Sequence, residues 1–145
     1  HFWKTIKLDL FGTFLCSRLS IPAMQKSGGG SIINTTSMTA LMGRPNRTAY
    51  TAAKGGVLAM TRSMAVEYAD DKIRVNAICP GLVDTVRIDD IRGTPAWDQA
   101  TARIALRRMG AGEEIAHAVM FLCSDQGAWF TGQSINLDGG HAVQH

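Results

Sequence analysis

Residues 31–54 read SIINTTSMTALMGRPNRTAYTAAK, and this stretch sets the class of fold. Its first six residues, SIINTT, are short, β-branched and apolar without strict alternation. That is the pattern of a strand buried on both faces of a parallel sheet. Residues 37–46 hold Gly43 and Pro45 and are expected to form a loop. Asn46 then stands where a side chain can cap a long helix over residues 47–69. Strand, loop and helix in that order form the unit from which α/β domains are built.

The unit recurs on both sides. Residues 72–79, KIRVNAIC, form a second expected strand, stopped by Pro80 and Gly81, and residues 134–137 a third, ahead of Asp138, Gly139 and Gly140. Residues 113–123 place Ile115, Val119 and Leu122 on one helical face, and Glu113 and Glu114 suit the dipole at that helix's start. Residues 2–26 carry Phe2, Ile6, Leu10, Phe14 and Ile21 at helical spacing. Pro22 is expected to kink or end that helix, and Ser27 with Gly28, Gly29 and Gly30 to break it. Residues 84–110 are long, polar and weakly periodic, as in a lid or binding loop with short helical turns. Trp97 in this segment stands either to touch a substrate or to pack the segment down. The order helix, strand, helix, strand, lid, helix, strand implies a parallel sheet with right-handed crossovers and flanking helices. Only three strands are visible, whereas sheets usually have about four to six.

Composition narrows the function classes. With 145 residues, 46% hydrophobic and 19% charged, the chain has the length of one domain and can bury a core. No apolar run approaches the ~18 residues of a membrane span, and no signal-peptide pattern is visible. Cys16, Cys79 and Cys123 are far apart and offer neither a disulfide framework nor CxxC metal spacing, which suits a cytoplasmic location. The net charge is +3, and apart from Arg103, Arg107 and Arg108 the basic residues are scattered, which argues against a nucleic-acid partner. Glu114 and His117 have the E-x-x-H spacing of di-metal bundles, but the second such pair is missing, so no metal is expected. No G-x-S-x-G elbow is present.

Two residues of the long helix carry more specific chemistry. Tyr50 and Lys54 lie four apart and share a face. A free phenol titrates near about 10 and is a poor acid–base catalyst at neutral pH. An ammonium one turn away favours the phenolate, so such a pair can give a proton to a carbonyl oxygen or take one from an alcohol. Ser37 follows the first strand at its C-terminal end, where open parallel sheets bind ligands. Its hydroxyl is placed either to donate to a developing oxyanion or to make a local turn or cap. Ala52, Gly56, Ala59 and Ser63 add a smooth stripe that lets a helix or subunit approach closely.

Asn34, Ser37, Tyr50 and Lys54 together resemble the N-x-x-S and Y-x-x-x-K motifs of the short-chain dehydrogenase/reductase family. RVNAICPGLVDT (residues 74–85), GAGEEIAHAVMFLCSD (110–125) and TGQSINLDGG (131–140) resemble later segments of that family in the same order. The nearest likeness is to 3-oxoacyl-carrier-protein reductases and related alcohol or diol dehydrogenases. The resemblance implies an α/β fold, the C-terminal half of a doubly wound Rossmann-type parallel sheet. It implies NAD or NADP as cofactor and hydride transfer between the nicotinamide and a small-molecule carbonyl or secondary alcohol. Tyr50 becomes the general acid/base, Lys54 the ligand of the nicotinamide ribose, and Ser37 the residue that orients the substrate oxygen. Pro80, Gly81, Val83 and Thr85 line the nicotinamide.

Two features depart from the family pattern. Asp9 stands where the family usually has an asparagine, and its charge is expected to pair with Lys54. The dinucleotide fingerprint T-G-x-x-x-G-x-G does not occur in the 145 residues. Gly28-Gly29-Gly30 does not replace it, since a strand follows where a helix should. Residues 1–145 are therefore expected to form a single incomplete catalytic domain, truncated before its phosphate grip and weakly active or inactive alone, with 84–110 as substrate lid. The family pattern also implies a homo-oligomer, dimer or tetramer, assembled through helices 2–26 and 47–69. The alternative is a non-catalytic fragment that only folds and self-associates.

Overall fold

The computed structural model describes residues 1–144. Its sheet has three parallel strands, β1 (Gly30–Thr35), β2 (Ile73–Pro80) and β3 (Ser134–Leu137), in the order β1-β2-β3. β2 is central, and Ile73, Val75, Asn76, Ala77, Ile78 and Cys79 are each no more than 2% exposed. Apart from half-buried Arg74 and Pro80, both faces of the strand are buried, as a strand covered on both sides requires.

The described residues form five α-helices, α1 (Phe2–Thr5), α2 (Gly12–Lys26), α3 (Thr48–Glu67), α4 (Pro95–Ala102) and α5 (Gly112–Cys123), of which α2, α3 and α5 pack against the sheet. Ile21 of α2 and Met64 and Ala65 of α3 form one core cluster with Ile32, Ile73 and Val75 of the strands. Ser31, the neighbour of Ile32, instead donates its hydroxyl to the Leu122 carbonyl of α5 at 3.1 Å. Successive side chains of a strand point to opposite faces, so α5 lies on the face away from α2 and α3. The expected α/β sheet of three parallel strands with helices on both faces is thus present.

Buried polar residues fix the layers. Asn34 on β1 donates from Nδ2 to Thr61 Oγ1 of α3 at 3.0 Å and accepts at Oδ1 from Ser17 Oγ of α2 at 3.1 Å. Asn76 on β2 donates to the Phe130 carbonyl at 2.8 Å and accepts from the Gln133 amide at 3.0 Å, holding the segment that enters β3. Each is buried, and both its amide nitrogen and its carbonyl oxygen have a partner, as buried polar groups usually do.

Three local expectations need correction. Asn46 is not the cap of α3: it adopts a left-handed backbone (φ 60°), and Arg47 stands at the cap position without a side-chain cap bond. Of the two outcomes open to Pro22, kinking or ending its helix, the ending does not occur, since the helix runs on to Lys26. The proline sits one turn from the end, so its missing N–H costs one bond, and the Ser27, Gly28 and Gly29 amides close the last turn onto Ala23, Gln25 and Met24. Between α1 and α2 the helix widens into a π-helical segment, Ile6–Phe11, which apolar spacing did not reveal. There Leu10 meets α3 at Gly56, where an added Cβ would lie 2.8 Å from Leu10 Cδ2. The small-residue stripe thus partly serves a contact inside the chain, while Ala52, Ala59 and Ser63 remain exposed.

Residues 84–110 form a closed excursion rather than a loose loop. Its ends pair with each other, the Asp84 amide donating to the Gly110 carbonyl at 2.8 Å and the Gly110 amide to the Leu82 carbonyl at 3.0 Å. It contains a 3-10 helix, Val86–Ile91, and α4. Arg92 ties the two by pairing with Asp84 at 2.6 Å and Asp89 at 2.8 Å while its guanidinium lies 5.7 Å from the Trp97 ring centroid. Of the two placements open to Trp97, the structure shows the ring packed against Arg92 inside the segment.

Candidate active site at the C-terminal edge of the sheet

The strands end on one edge, and the residues singled out from the sequence gather along it. β1 ends at Thr35, whose register partner is Ile78 of β2. The Thr36 amide continues the ladder to the Ile78 carbonyl at 2.9 Å, so Ser37 leaves the sheet two residues beyond β1 and beside the end of β2. Two bonds then stitch this exit to α3. Thr36 Oγ1 donates to the Lys54 carbonyl at 2.9 Å, and Lys54 Nζ donates to the Thr35 carbonyl at 3.3 Å. Lys54 also lies 3.6 Å from Asp9 Oδ1, and the two side chains are only 12% and 26% exposed. The expected Asp9–Lys54 charge pair is therefore formed, across the π-helical segment that carries Asp9. Local π-bulges of this kind occur often at functional sites.

Tyr50 is half-buried one turn before Lys54, and the Lys54 ammonium lies 5.7 Å from its ring centroid. Ser37 begins the short 3-10 helix Met38–Ala40. Its Oγ accepts from the Thr39 amide at 3.3 Å and from the Thr39 hydroxyl at 3.0 Å. The cap and the oxyanion donor set out as alternatives are thus compatible. The lone pairs of Ser37 are engaged by Thr39, and its own hydroxyl proton is free to be donated outward.

The segment after β2 forms the adjoining wall. Pro80, Gly81 and Val83 are half-buried and Thr85 is exposed. Val83 pairs with Gly110 in a short bridge, and Thr85 starts the 3-10 helix of the lid. Gly81 has a reason that sequence alone did not supply. A Cβ there would lie 2.7 Å from both Cα and Cβ of Asp138, so glycine is needed for the close passage of the chain leaving β3. Cys79, the last buried residue before Pro80, has its thiol pushed up to about 11 by burial and by the nearby Asp138 charge. It stays protonated and inert at neutral pH.

The remaining candidates separate. Among the described residues no three His, Cys, Asp or Glu side chains are grouped to hold a metal, and no helix is long and apolar enough to cross a membrane. Glu114 is engaged by Arg108 at 2.6 Å and reaches back to the Ala111 amide at 2.8 Å. These contacts, the Arg108 hydrogen bond first, lower its carboxyl from the ordinary 4.5 to about 2. The stabilisation from this pair is present above the ordinary carboxylate range and is lost as the pH falls from there toward about 2. Arg103, Arg107 and Arg108 do not form one basic patch. Arg108 pairs with Glu114, Arg107 caps the Ala102 carbonyl, and Arg103 closes α4.

The chain has extensive likeness to known proteins. A family model described as Enoyl-(Acyl carrier protein) reductase matches residues 1–142. A protein of Thermotoga maritima described as an uncharacterized oxidoreductase is 40% identical over 144 residues, 96% of this chain and 57% of the relative. The 3-oxoacyl-[acyl-carrier-protein] reductase of the same organism is 40% identical over 138 residues, 95% of this chain and 56% of the relative. Among solved structures, a 4-hydroxyisoleucine dehydrogenase complexed with NADH superposes with a TM-score of 0.91 at 32% identity, over 97% of this chain and 58% of that one. The chain thus spans somewhat more than half the length of the proteins it matches. With its three parallel strands, its serine, tyrosine and lysine on their C-terminal edge and a family match along nearly all its length, the chain belongs to the short-chain dehydrogenase/reductase family.

Proposed function

We propose that the chain supplies the reacting half of a nicotinamide-dependent oxidoreductase that interconverts a secondary alcohol and its carbonyl, with NAD or NADP as cofactor. The observation that carries this reading is the stitching of Lys54 to the end of β1 through Thr35 and Thr36 and to Asp9, with Tyr50 one turn before it and Ser37 leaving that same strand end. The donor set fits the nicotinamide–ribose end of such a cofactor. Asp9 and Thr35 engage the Lys54 ammonium, and its remaining donor capacity, with the Tyr50 hydroxyl, suits vicinal ribose hydroxyls. Pro80, Gly81, Val83 and Thr85 offer the wall against a flat ring. When bound, the nicotinamide supplies or accepts the hydride.

The chain's own residues handle the proton and the oxygen. Ser37 donates its free hydroxyl proton to the substrate oxygen and fixes the carbonyl's orientation. Tyr50 gives its proton to that oxygen during reduction and takes it back during oxidation. The Lys54 charge beside the ring stabilises the phenolate left behind. Asp9 is a positioning residue that acts through Lys54. Joined behind the dinucleotide-binding half of the Thermotoga reductase, residues 1–145 are expected to oxidise NADH or NADPH in the presence of a small ketone. Ser37→Ala is expected to cut that rate by about 10²–10³-fold, the usual loss for one oxyanion donor. An unchanged rate would remove Ser37 from the mechanism.

Assembly of identical copies through helices 2–26 and 47–69 belongs to the same proposal. Trp3, Leu8 and Leu19 are 78%, 72% and 69% exposed along the first helix, an apolar surface that monomers seldom leave bare. Sedimentation velocity is expected to show dimers or larger species, dissociated by Leu8→Lys with Leu19→Lys. A parent chain that sediments only as a monomer would contradict this part of the proposal.

A further inference from the structure

The segments that leave β1, β2 and β3 at their C-terminal ends meet again beneath α4. Arg44 lies in the connection between Ser37 and Tyr50, Leu82 two residues past β2, and His141 four residues past β3. With Gln99 of α4 and Arg103 at its end they line a pocket of about 130 Å³. No carboxylate lines it. Of the arginines in residues 84–110, Arg92 and Arg108 are ion-paired and Arg107 caps the Ala102 carbonyl, whereas Arg87 and Arg103, like Arg44, have no carboxylate partner among the described residues; of these three, Arg44 and Arg103 line the pocket.

His141 sharpens the picture. Its Nδ1 is buried and has no hydrogen-bond partner among the described residues. Burial first, and then the charges of Arg44 and Arg103, hold its imidazole below its ordinary range, while Asp138 acts in the opposite sense. The Asp138 carboxylate is committed to the Gly140 and Ala142 amides at 3.0 and 2.9 Å, so it does not fill the pocket's need for an anion. Arg44 and Arg103, both exposed and neither ion-paired, together with His141 give this small space a positive lining without a counter-charge, which favours an anion there.

We infer that this pocket holds a carboxylate of the substrate, with Arg44 and Arg103 as its charge partners and the His141 ring in its wall, so that the substrate is a hydroxy or oxo carboxylic acid. The inference deepens the proposed function and rests on it for the rest of the substrate. The geometry agrees, since Arg44 and Leu82 flank the same strand ends as Ser37 and the wall after β2. The volume admits a carboxylate with a few carbons and is well below the ~300 Å³ at which pockets for larger ligands begin.

Binding can be tested on the 145-residue chain without cofactor or turnover. The His141 imidazole resonance, assigned by its loss in His141→Asn, is followed during titration with succinate and with neutral succinamide at constant ionic strength. Succinate is expected to shift the resonance saturably and to raise the imidazole's pKa, because a carboxylate beside it favours the protonated ring. Succinamide is expected to leave both unchanged. Arg44→Gln and Arg103→Gln are each expected to weaken the succinate response roughly tenfold, as loss of a charge-assisted contact in a partly open site does. Equal responses to the two compounds would overturn the inference without recourse to any variant. So would a succinate response that survives in the double variant, or inorganic phosphate binding more tightly than succinate. A failure of the Ser37→Ala rate test leaves these readings intact, so failure of the pocket and failure of the proposed reaction are distinguishable.

Discussion

Tyr50→Phe is expected to lower turnover by about 10³–10⁴-fold, the upper part of the range for a lost general acid. The substitution removes one oxygen and keeps the ring. Half-buried on α3 beside the Lys54 ammonium, the ring retains its packing, so thermal stability should be nearly unchanged. Ser37 and Lys54 also stay in place, because their anchors are Thr39 for the first and Asp9 and Thr35 for the second. The loss should therefore fall mainly on kcat, with the cofactor KM raised only by the few-fold that one lost ribose contact costs, the signature of an interaction made chiefly in the transition state. The measurement is a steady-state assay on residues 1–145 joined to the Thermotoga dinucleotide-binding half. A kcat within about tenfold of the parent would mean that another group moves the proton.

Asn34→Ala is expected to destabilise the fold by about 2–4 kcal/mol, because it deletes two buried hydrogen bonds and leaves both partners unsatisfied. Asn34 is 3% exposed, and its partners Ser17 and Thr61 are 5% and 0% exposed, so water cannot replace the lost amide. The substitution also uncouples β1 from both α2 and α3 just before the strand delivers Ser37 to the edge. Urea unfolding reads the first effect as a lower midpoint at constant slope. A loss below about 1 kcal/mol would show that α2 and α3 hold β1 by apolar contact alone.

Asn34 also illustrates what the sequence could convey. As the first letter of N-x-x-S it marked the motif, but nothing in the string tied it to Ser17 and Thr61, which lie 17 and 27 residues away. The strands were legible because short runs such as IRVNAIC are rich in β-branched and apolar residues without strict alternation and end at Pro80-Gly81. The site was legible for a related reason. A strand end fixes Ser37, and helical spacing fixes Tyr50 against Lys54. Features set by contact between distant segments were not. The π-helical turn at Ile6–Phe11 coincides with the contacts of Leu10 on Gly56 and Asp9 on Lys54, neither of which shows in apolar periodicity. Asn46 has the composition of a cap, yet it adopts a left-handed turn conformation that asparagine tolerates better than most residues. Gly81 owes its identity to Asp138, 57 positions later. Arg44, Arg103 and His141 did not read as a group, since Arg103 stood with Arg107 and Arg108 and only the tertiary fold brings the exits of the three strands together.

The direct test of the catalytic edge is to map NADH onto the 145-residue chain by amide chemical-shift perturbation. Even weak, millimolar binding is readable in this way. The largest shifts are expected at Ser37, Tyr50, Lys54 and residues 81–85, and Lys54→Met is expected to abolish them. Shifts confined to other surfaces, such as the cleft between Ile115 of α5 and Leu137 of β3, would contradict the assignment of the C-terminal edge as the reacting centre.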